Sequence, residues 1–378
     1  MTPVMLPTAV LEHASGVARE VAAELGIDID VHELLGGRAA MLGLSAGGQV
    51  SAGGATRLLP GHDGWCALTL SRPDDIDAVP ALVERDGIGA DPWPAVRHSV
   101  RRLGVPAFAE RARLLGLPVG VLGETRPSPI RLRRIGDRQP RGVLNDLLVA
   151  DLSSMWAGPL CGALLARAGA TVVKVETAAR PDGTRSGPAA FFNWMNGDKL
   201  SYRVDFEAPE GLRRLLRVAD VVIESSRPGA LERHGVGVAD LGPRDGGVWI
   251  RITRTRHRGR TRRVGGLRRR CGGVRRLGLW PGVVPAVLRG RPGRSVDRVA
   301  RRPRGAAVTR ARRRRARGSL DGRCRAAHYA GVPCSAGPYR DAETPCTVVP
   351  QCITPASELG ADTARVEALV AGLLAARC

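Results

Sequence analysis

The stretch "VADLSSMWAGPLCGALLARAGATVVKVE", residues 149–176, decides the fold. Its first residues belong to "LLVADL" (147–152), a short apolar run that reads as a buried strand. "GPLCGALLARAG" (158–169) reads as an apolar helix, and "TVVKVE" (171–176) as a second strand. Further on, "APEGLRRLLRVA" (208–219) predicts a helix with Pro209 in its first turn. "VVIES" (221–225) and "VWIRIT" (248–253) predict more strands. Strand–helix–strand repetition with apolar strands implies a parallel sheet covered by helices, an open Rossmann-like α/β unit. No G-x-G-x-x-G sits at its first turn, so a nicotinamide or flavin cofactor is not implied.

Upstream the rhythm differs. Residues 9–26 place apolar side chains at helical spacing. After a Gly-rich stretch, "TRLLP" and "WCALTL" predict strands around the turn "GHDG". Helical stretches follow near 75–85 and 93–103, then "FAERARLLGLPVGVLGE". The Pro, Gly and charge of "RPSPIRLRRIGDRQPRG" (126–142) read as a linker. The expected organisation is a smaller α+β N-terminal region (1–125), the linker (126–142) and the parallel-sheet domain (143–253). An Arg-rich block (254–330) and a C-terminal tail with a helix (331–378) complete it.

The formal net charge of +22 is not spread evenly. Residues 251–330 contain 27 Arg, no Lys, and only Asp297 and Asp321 as acids, a net +25, so the rest of the chain sums to −3. Lys174 and Lys199 are the only lysines in the chain. One block therefore makes the protein basic. The eight cysteines form no C-x-x-C, and the spacing of Cys324, His328 and Cys334 fits no common metal site, so scattered reduced thiols are expected. There is no apolar run long enough to span a membrane and no basic-plus-apolar leader, which reads as a cytoplasmic protein without a membrane partner.

The opening stretch carries more than a fold class. "VADLSSMWAGPLCGALLARAGATVVKVETAARPDGTR", then "FFNWMNGDKLSYRVDFEAPEG", then "ADVVIESSRPGALERHGVG" resemble, in order, the motifs of the family III (CaiB/BaiF-type) CoA-transferases. "GATRLLPGHDGWCALTLSRPDD" resembles a strand region that precedes this half in some actinobacterial-type members. The resemblance implies a Rossmann-like large domain, a small α/β domain and two interlocked chains in a homodimer. It implies transfer of CoA between carboxylic acids, with a catalytic aspartate that forms a mixed anhydride and then an enzyme thioester. The CoA thioester is then a substrate; no cofactor is permanently bound.

By the same resemblance, Lys174 in "VVKVE", Lys199 in "NGDK" and Arg233 in "ALERHG" occupy basic positions that serve the phosphates of CoA. Trp156 stands where some transferases have a glutamine near the active site. Asp151 and Glu176, at strand ends, read as acceptors of backbone hydrogen bonds rather than as an acid/base pair.

The resemblance stops at 253. Family members continue with a segment of the form "VAFGDxAAVAGGL" and then a short motif, "ADP" or "GDS" followed by Thr-Gly, that carries the nucleophile. Here the chain reads "ITRTRHRGRTRRVGGLRRRCGGVRRLGLW". A displaced reading frame accounts for this. Synonymous codons for "GLRRRCGGVRRL" (266–277), read one nucleotide later, permit Ala-Phe-Gly-Asp-Ala-Ala-Val-Ala-Ser-Gly-Gly-Leu. At the same offset "GRSVDR" (293–298) permits Ala-Asp-Pro-Leu-Thr-Gly, whose aspartate codon straddles those of Arg294 and Ser295. Arg294 therefore holds the nucleophile's place, and "SELGADTARVEALVAGLL" (357–374) resembles the family's C-terminal helix again.

As written, the chain is expected to be an inactive transferase homologue whose Arg-rich block stays irregular and solvated, because burying unpaired arginines is prohibitive. A racemase-like activity is a weaker alternative, since even the restored stretch lacks that enzyme's histidine. A nucleic-acid-binding protein on an α/β scaffold is the rival from another class. The block contains only Trp280 and Tyr329 as aromatics and no known binding motif, so adventitious, salt-sensitive binding is expected.

Overall fold

The computed structural model describes residues 4–45, 48–51, 53–124, 132–137, 139, 143–226, 229–242, 245–252, 343–346, 348–351 and 353–376. The Arg-rich block 254–330, with Arg294, and most of the linker 126–142 lie outside the described residues.

The chain opens with strand β1 (Val4–Pro7), helix α1 (Thr8–Leu25) and helix α2 (Val31–Met41). Asp30 caps α2, accepting from the amides of His32 at 2.8 Å and Glu33 at 3.4 Å, which satisfies donors that a helix start leaves free. The Gly-rich composition of 36–54 hides α2 from a sequence reading.

A separate antiparallel module follows. β2 (Thr56–Gly61) and β3 (Gly64–Thr69) form the expected hairpin, with Leu59 opposite Cys66. The helical stretch near 75–85 is two short helices, α3 (Pro73–Asp77) and α4 (Val79–Val83), with Pro80 in the first turn of the second. Helices α5 (Trp93–Leu103) and α6 (Val105–Leu114) and strand β4 (Val119–Val121), antiparallel to β3, complete it. Its core is apolar and local, built on Leu59, Leu68, Leu82, Val96, Phe108 and Val119.

Strand β5 (Leu148–Leu152), helix α7 (Ala157–Arg167) and strand β6 (Thr171–Glu176) realise the opening stretch. After them come α8 (Ala189–Asn196), β7 (Leu200–Arg203), α9 (Glu210–Val218), β8 (Val221–Glu224), α10 (Ala230–Arg233) and β9 (Val248–Arg251). The five strands β5–β9 form one parallel sheet in the order β7-β6-β5-β8-β9. Leu212, Leu215 and Leu216 of α9 cover one face together with Val366 and Val370 of α11 (Thr363–Ala375). The other face packs under Cys161, Leu164 and Leu165 of α7. With both faces covered, continuous apolar strands are what burial requires.

Packing ties the first two helices to the parallel sheet. Val21 and Leu25 of α1 share a core with Val149, Leu164 and Val221, and Leu34 of α2 packs on Leu160, Phe191 and Trp194. Strand β1 pairs antiparallel with β10 (Glu343–Cys346), Val4 opposite Cys346. Helices α1 and α2 thus belong to the parallel-sheet unit, while 56–121 keeps its own core. Helical periodicity exposes an apolar stripe but does not name the surface that covers it.

Candidate functional site

Strand alternation places Val149 and Asp151 on the α7 face of the sheet, and likewise Val172, Lys174 and Glu176. At the carboxyl ends of the strands this face changes from apolar to charged. Asp151 stands directly beside Lys174 in register, and Leu152 beside Glu224. All three charged groups are buried, with Glu176, Asp182 and Lys199. Buried charge is tolerated only when paired and hydrogen-bonded.

Every partner is in place. The Lys199 ammonium donates to Asp151 Oδ2 at 2.7 Å, the Pro159 carbonyl at 2.8 Å and Asn196 Oδ1 at 3.0 Å, so its three protons are used. Gly162 makes room for this pair: a Cβ there would lie 2.9 Å from both Asp151 Oδ2 and Lys199 Nζ. Lys174 donates to Asp182 Oδ2 at 2.8 Å and to the Ser153 carbonyl. Glu176 receives Arg185 at 2.7 Å and the Asp182 amide at 2.9 Å. Arg251 bridges Glu224 at 2.5 Å and Glu232 at 2.8 Å.

Burial by itself raises a carboxyl pKa, but the ammonium groups of Lys199 and Lys174 outweigh it and hold Asp151 below the usual carboxylate range. Asp182 is lowered in the same way, burial being overcome by Lys174 and by hydrogen bonds from Lys174 and Thr184. The Cys161 thiol, beside Asp151 in the same buried surroundings, is pushed up by desolvation first and by that carboxylate second, so it stays protonated and inert.

The strand order reverses at β5: the chain runs outward through β6 to β7 and then crosses back through α9 to β8, on the other side of β5. The crevice outside the carboxyl ends at such a point is where open α/β sheets take ligands. Two connections border it here. One is the turn Ser153–Trp156 leaving β5; the other leaves β8 through Ser225 to α10. The Ser154 amide donates to Ser225 Oγ at 3.1 Å and ties them.

The three sequence-assigned cations separate here. Lys174 and Lys199 come together around Asp151, but both ammonium groups are buried and engaged by the protein rather than presented at the surface. Arg233, at the end of α10, is exposed. Asp151 and Glu176 accept the backbone hydrogen bonds expected of them, from Ser153 at 3.0 Å and Asp182 at 2.9 Å, and each also holds a cation. Trp156 packs beside Leu160 and Phe191. Sequence reading missed Asp182, Arg185 and Arg251, the charged partners of Lys174, Glu176 and Glu224, and Asn196, the neutral amide that accepts from Lys199. A signal was available in the lysines, the only two in a chain that otherwise uses arginine as its base. Among the described residues no cluster has metal-ligand geometry.

The fold and this edge define an open α/β unit whose buried charges line the carboxyl edge of its sheet at the strand reversal. Residues 144–245 match the family model described as CoA-transferase family III. The chain is 37% identical over 125 residues to an acyl-CoA transferase of Fusarium pseudograminearum, covering 28% of this chain and 27% of that one. It is 34% identical over 130 residues to the succinyl-CoA–D-citramalate CoA-transferase of Chloroflexus aurantiacus, covering 32% of each. Among solved structures, a CaiB/BaiF family protein from Brucella suis aligns at 34% identity with a TM-score of 0.29, covering 31% of this chain and 35% of that chain. The chain thus matches only about three-tenths of the length of these curated relatives. No helix among the described residues is long and apolar enough to cross a membrane.

Proposed function

We propose that this chain is an acyl-CoA transferase homologue that retains the CoA-binding half and has lost the nucleophile. The observation that carries the reading is a break in the chain. A family III segment with its buried charges fully paired runs to 245, and an Arg-rich block begins within ten residues of its end. In the proposed reaction an aspartate carboxylate attacks the thioester carbonyl and expels CoA thiolate, leaving a mixed anhydride. The thiolate then attacks the aspartyl carbonyl, releases the first carboxylic acid and leaves an enzyme thioester. An acceptor carboxylate reverses the sequence and takes the CoA. Splitting one exchange into two lowers each barrier. Arg294 supports no such step, since a guanidinium stays protonated and is no nucleophile.

In this reading the exposed Arg233 meets the phosphates of CoA, while Lys174 and Lys199 serve the site from inside, as the counter-ions that keep its floor folded. The acceptor is a carboxylic acid, the working form a homodimer in the cytoplasm, and the Arg-rich block a product of a displaced frame.

Single-turnover labelling with an acyl-CoA radiolabelled in its CoA moiety tests the inactivity: a trapped enzyme–CoA thioester on this chain refutes it. The nucleotide sequence of codons 250–356, re-read for one lost and one gained base, tests the displaced frame. If no alternate frame encodes the missing family segment, that explanation fails. The +25 charge of residues 251–330 favours one other role, nucleic-acid binding, and a salt-resistant, sequence-selective complex would establish it.

A further inference from the structure

The turn Ser153–Trp156 is held more firmly than a connection between β5 and α7 requires. Its backbone groups are taken in succession by side chains from separate parts of the chain. Asp151 accepts the Ser153 amide at 3.0 Å and its hydroxyl, Lys174 donates to the Ser153 carbonyl, and Ser225 accepts the Ser154 amide at 3.1 Å. Both oxygens of Asp182 lie 3.2 Å from the Met155 amide. The same carboxylate takes the Thr184 amide at 3.0 Å, its hydroxyl at 2.8 Å and the Lys174 ammonium at 2.8 Å.

Within this grip Met155 has φ 78°, a left-handed conformation that a non-glycine residue adopts at a cost of about 1–2 kcal/mol. Its side chain is 53% exposed, so packing does not repay the strain. A plain connection would place glycine at 155 and need no buried ion pair. Strain persists where the surroundings over-determine it, and such places are where a backbone shape is put to use.

We infer that Asp182 and Lys174 are positioning residues: together they fix the Ser153–Trp156 turn in the shape in which it borders the crevice, and a CoA thioester is bound by the turn so shaped. This rests on the CoA-binding reading above. Neither group touches the ligand; both are buried behind the turn.

The test pairs two readouts on the full chain. Asp182→Asn keeps an oxygen for the Met155 amide and removes the charge that holds Lys174. Amide exchange in a peptide spanning 153–156 should rise about tenfold or more while strands β5, β6 and β8 exchange as before, and coenzyme A should bind about tenfold more weakly by calorimetry. Thr184→Val removes only one anchor of the carboxylate, and a severalfold weakening from it carries the same conclusion if Asp182→Asn does not fold. Unchanged local exchange overturns the proposal. So does faster local exchange with unaltered coenzyme A affinity, which makes the clamp purely structural. If the unmodified chain binds no coenzyme A, the functional reading itself fails, an outcome visible before any variant is made.

Discussion

The antiparallel module and the parallel-sheet unit solve the problem of a core in opposite ways. Between Leu59 and Val119 the core is apolar, and the ion pairs Glu84–Arg111 and Arg113–Glu124 stand outside it. In the parallel-sheet unit the apolar layers of β5 and β6 end in Asp151, Lys174 and Glu176, all buried. The sheet's carboxyl edge keeps costly charges inside, and replacing such groups with well-packed apolar ones is often neutral or stabilising, so stability alone does not explain them.

Breaking one partner of the edge should give the largest effect. Asp151→Ala leaves the Lys199 ammonium buried with its countercharge gone and should cost about 3–5 kcal/mol, read by urea unfolding with exchange resolved to β5 and β6. Phe108→Ala should cost a similar amount, about 3–5 kcal/mol, through a cavity, with the loss confined to 59–119. The two differ in what repairs them. Asp151→Leu combined with Lys199→Met should recover most of the loss, because no unpaired charge remains; if the double variant is as unstable as Asp151→Ala, the edge is not governed by charge pairing.

Gly162→Ala pushes a methyl into the Asp151–Lys199 contact from a helix that otherwise favours alanine, and should destabilise by about 1–3 kcal/mol. A neutral result would mean that the contact can shift. Acid should then separate the two regions more gently. The folded pKa values of Asp151 and Asp182 lie below their unfolded ones, so their contribution is complete above about pH 4 and is lost as pH falls through the folded values. In the module Asp75 is also lowered: burial raises it, and hydrogen bonds from Arg72 and the Ser71 amide overcome that. The sheet, with two such groups at its carboxyl edge, should lose exchange protection before the module does. At the bottom of the scale, Glu84→Ala removes a surface partner of Arg111 and should leave the melting temperature unchanged.

The sequence was legible where a local pattern suffices. β6 falls on residues 171–176 as read, β2 and β3 flank the predicted "GHDG" turn, and α9 presents its leucines at helical spacing. α2 was not legible because its glycines lower helix propensity and its burial comes from Leu160 and Trp194, distant in the chain. Lys174 and Lys199 stand out in the sequence as its only lysines, but their burial is not readable there, because Asp182 and Asn196 belong to loops and helices that only the fold brings near.

By itself, then, the sequence determined the strand–helix–strand rhythm, the order of the motifs within residues 144–245 and the confinement of charge to one block. These follow from periodicity, composition and motif order, which are properties of neighbours along the chain. Only the tertiary structure decided that α1 and α2 join the parallel sheet, that the two lysines face inward, and that Asp182 grips the turn at Met155. Each of those depends on which distant groups share a dry interior, where an apolar face needs a cover and a charge needs a partner.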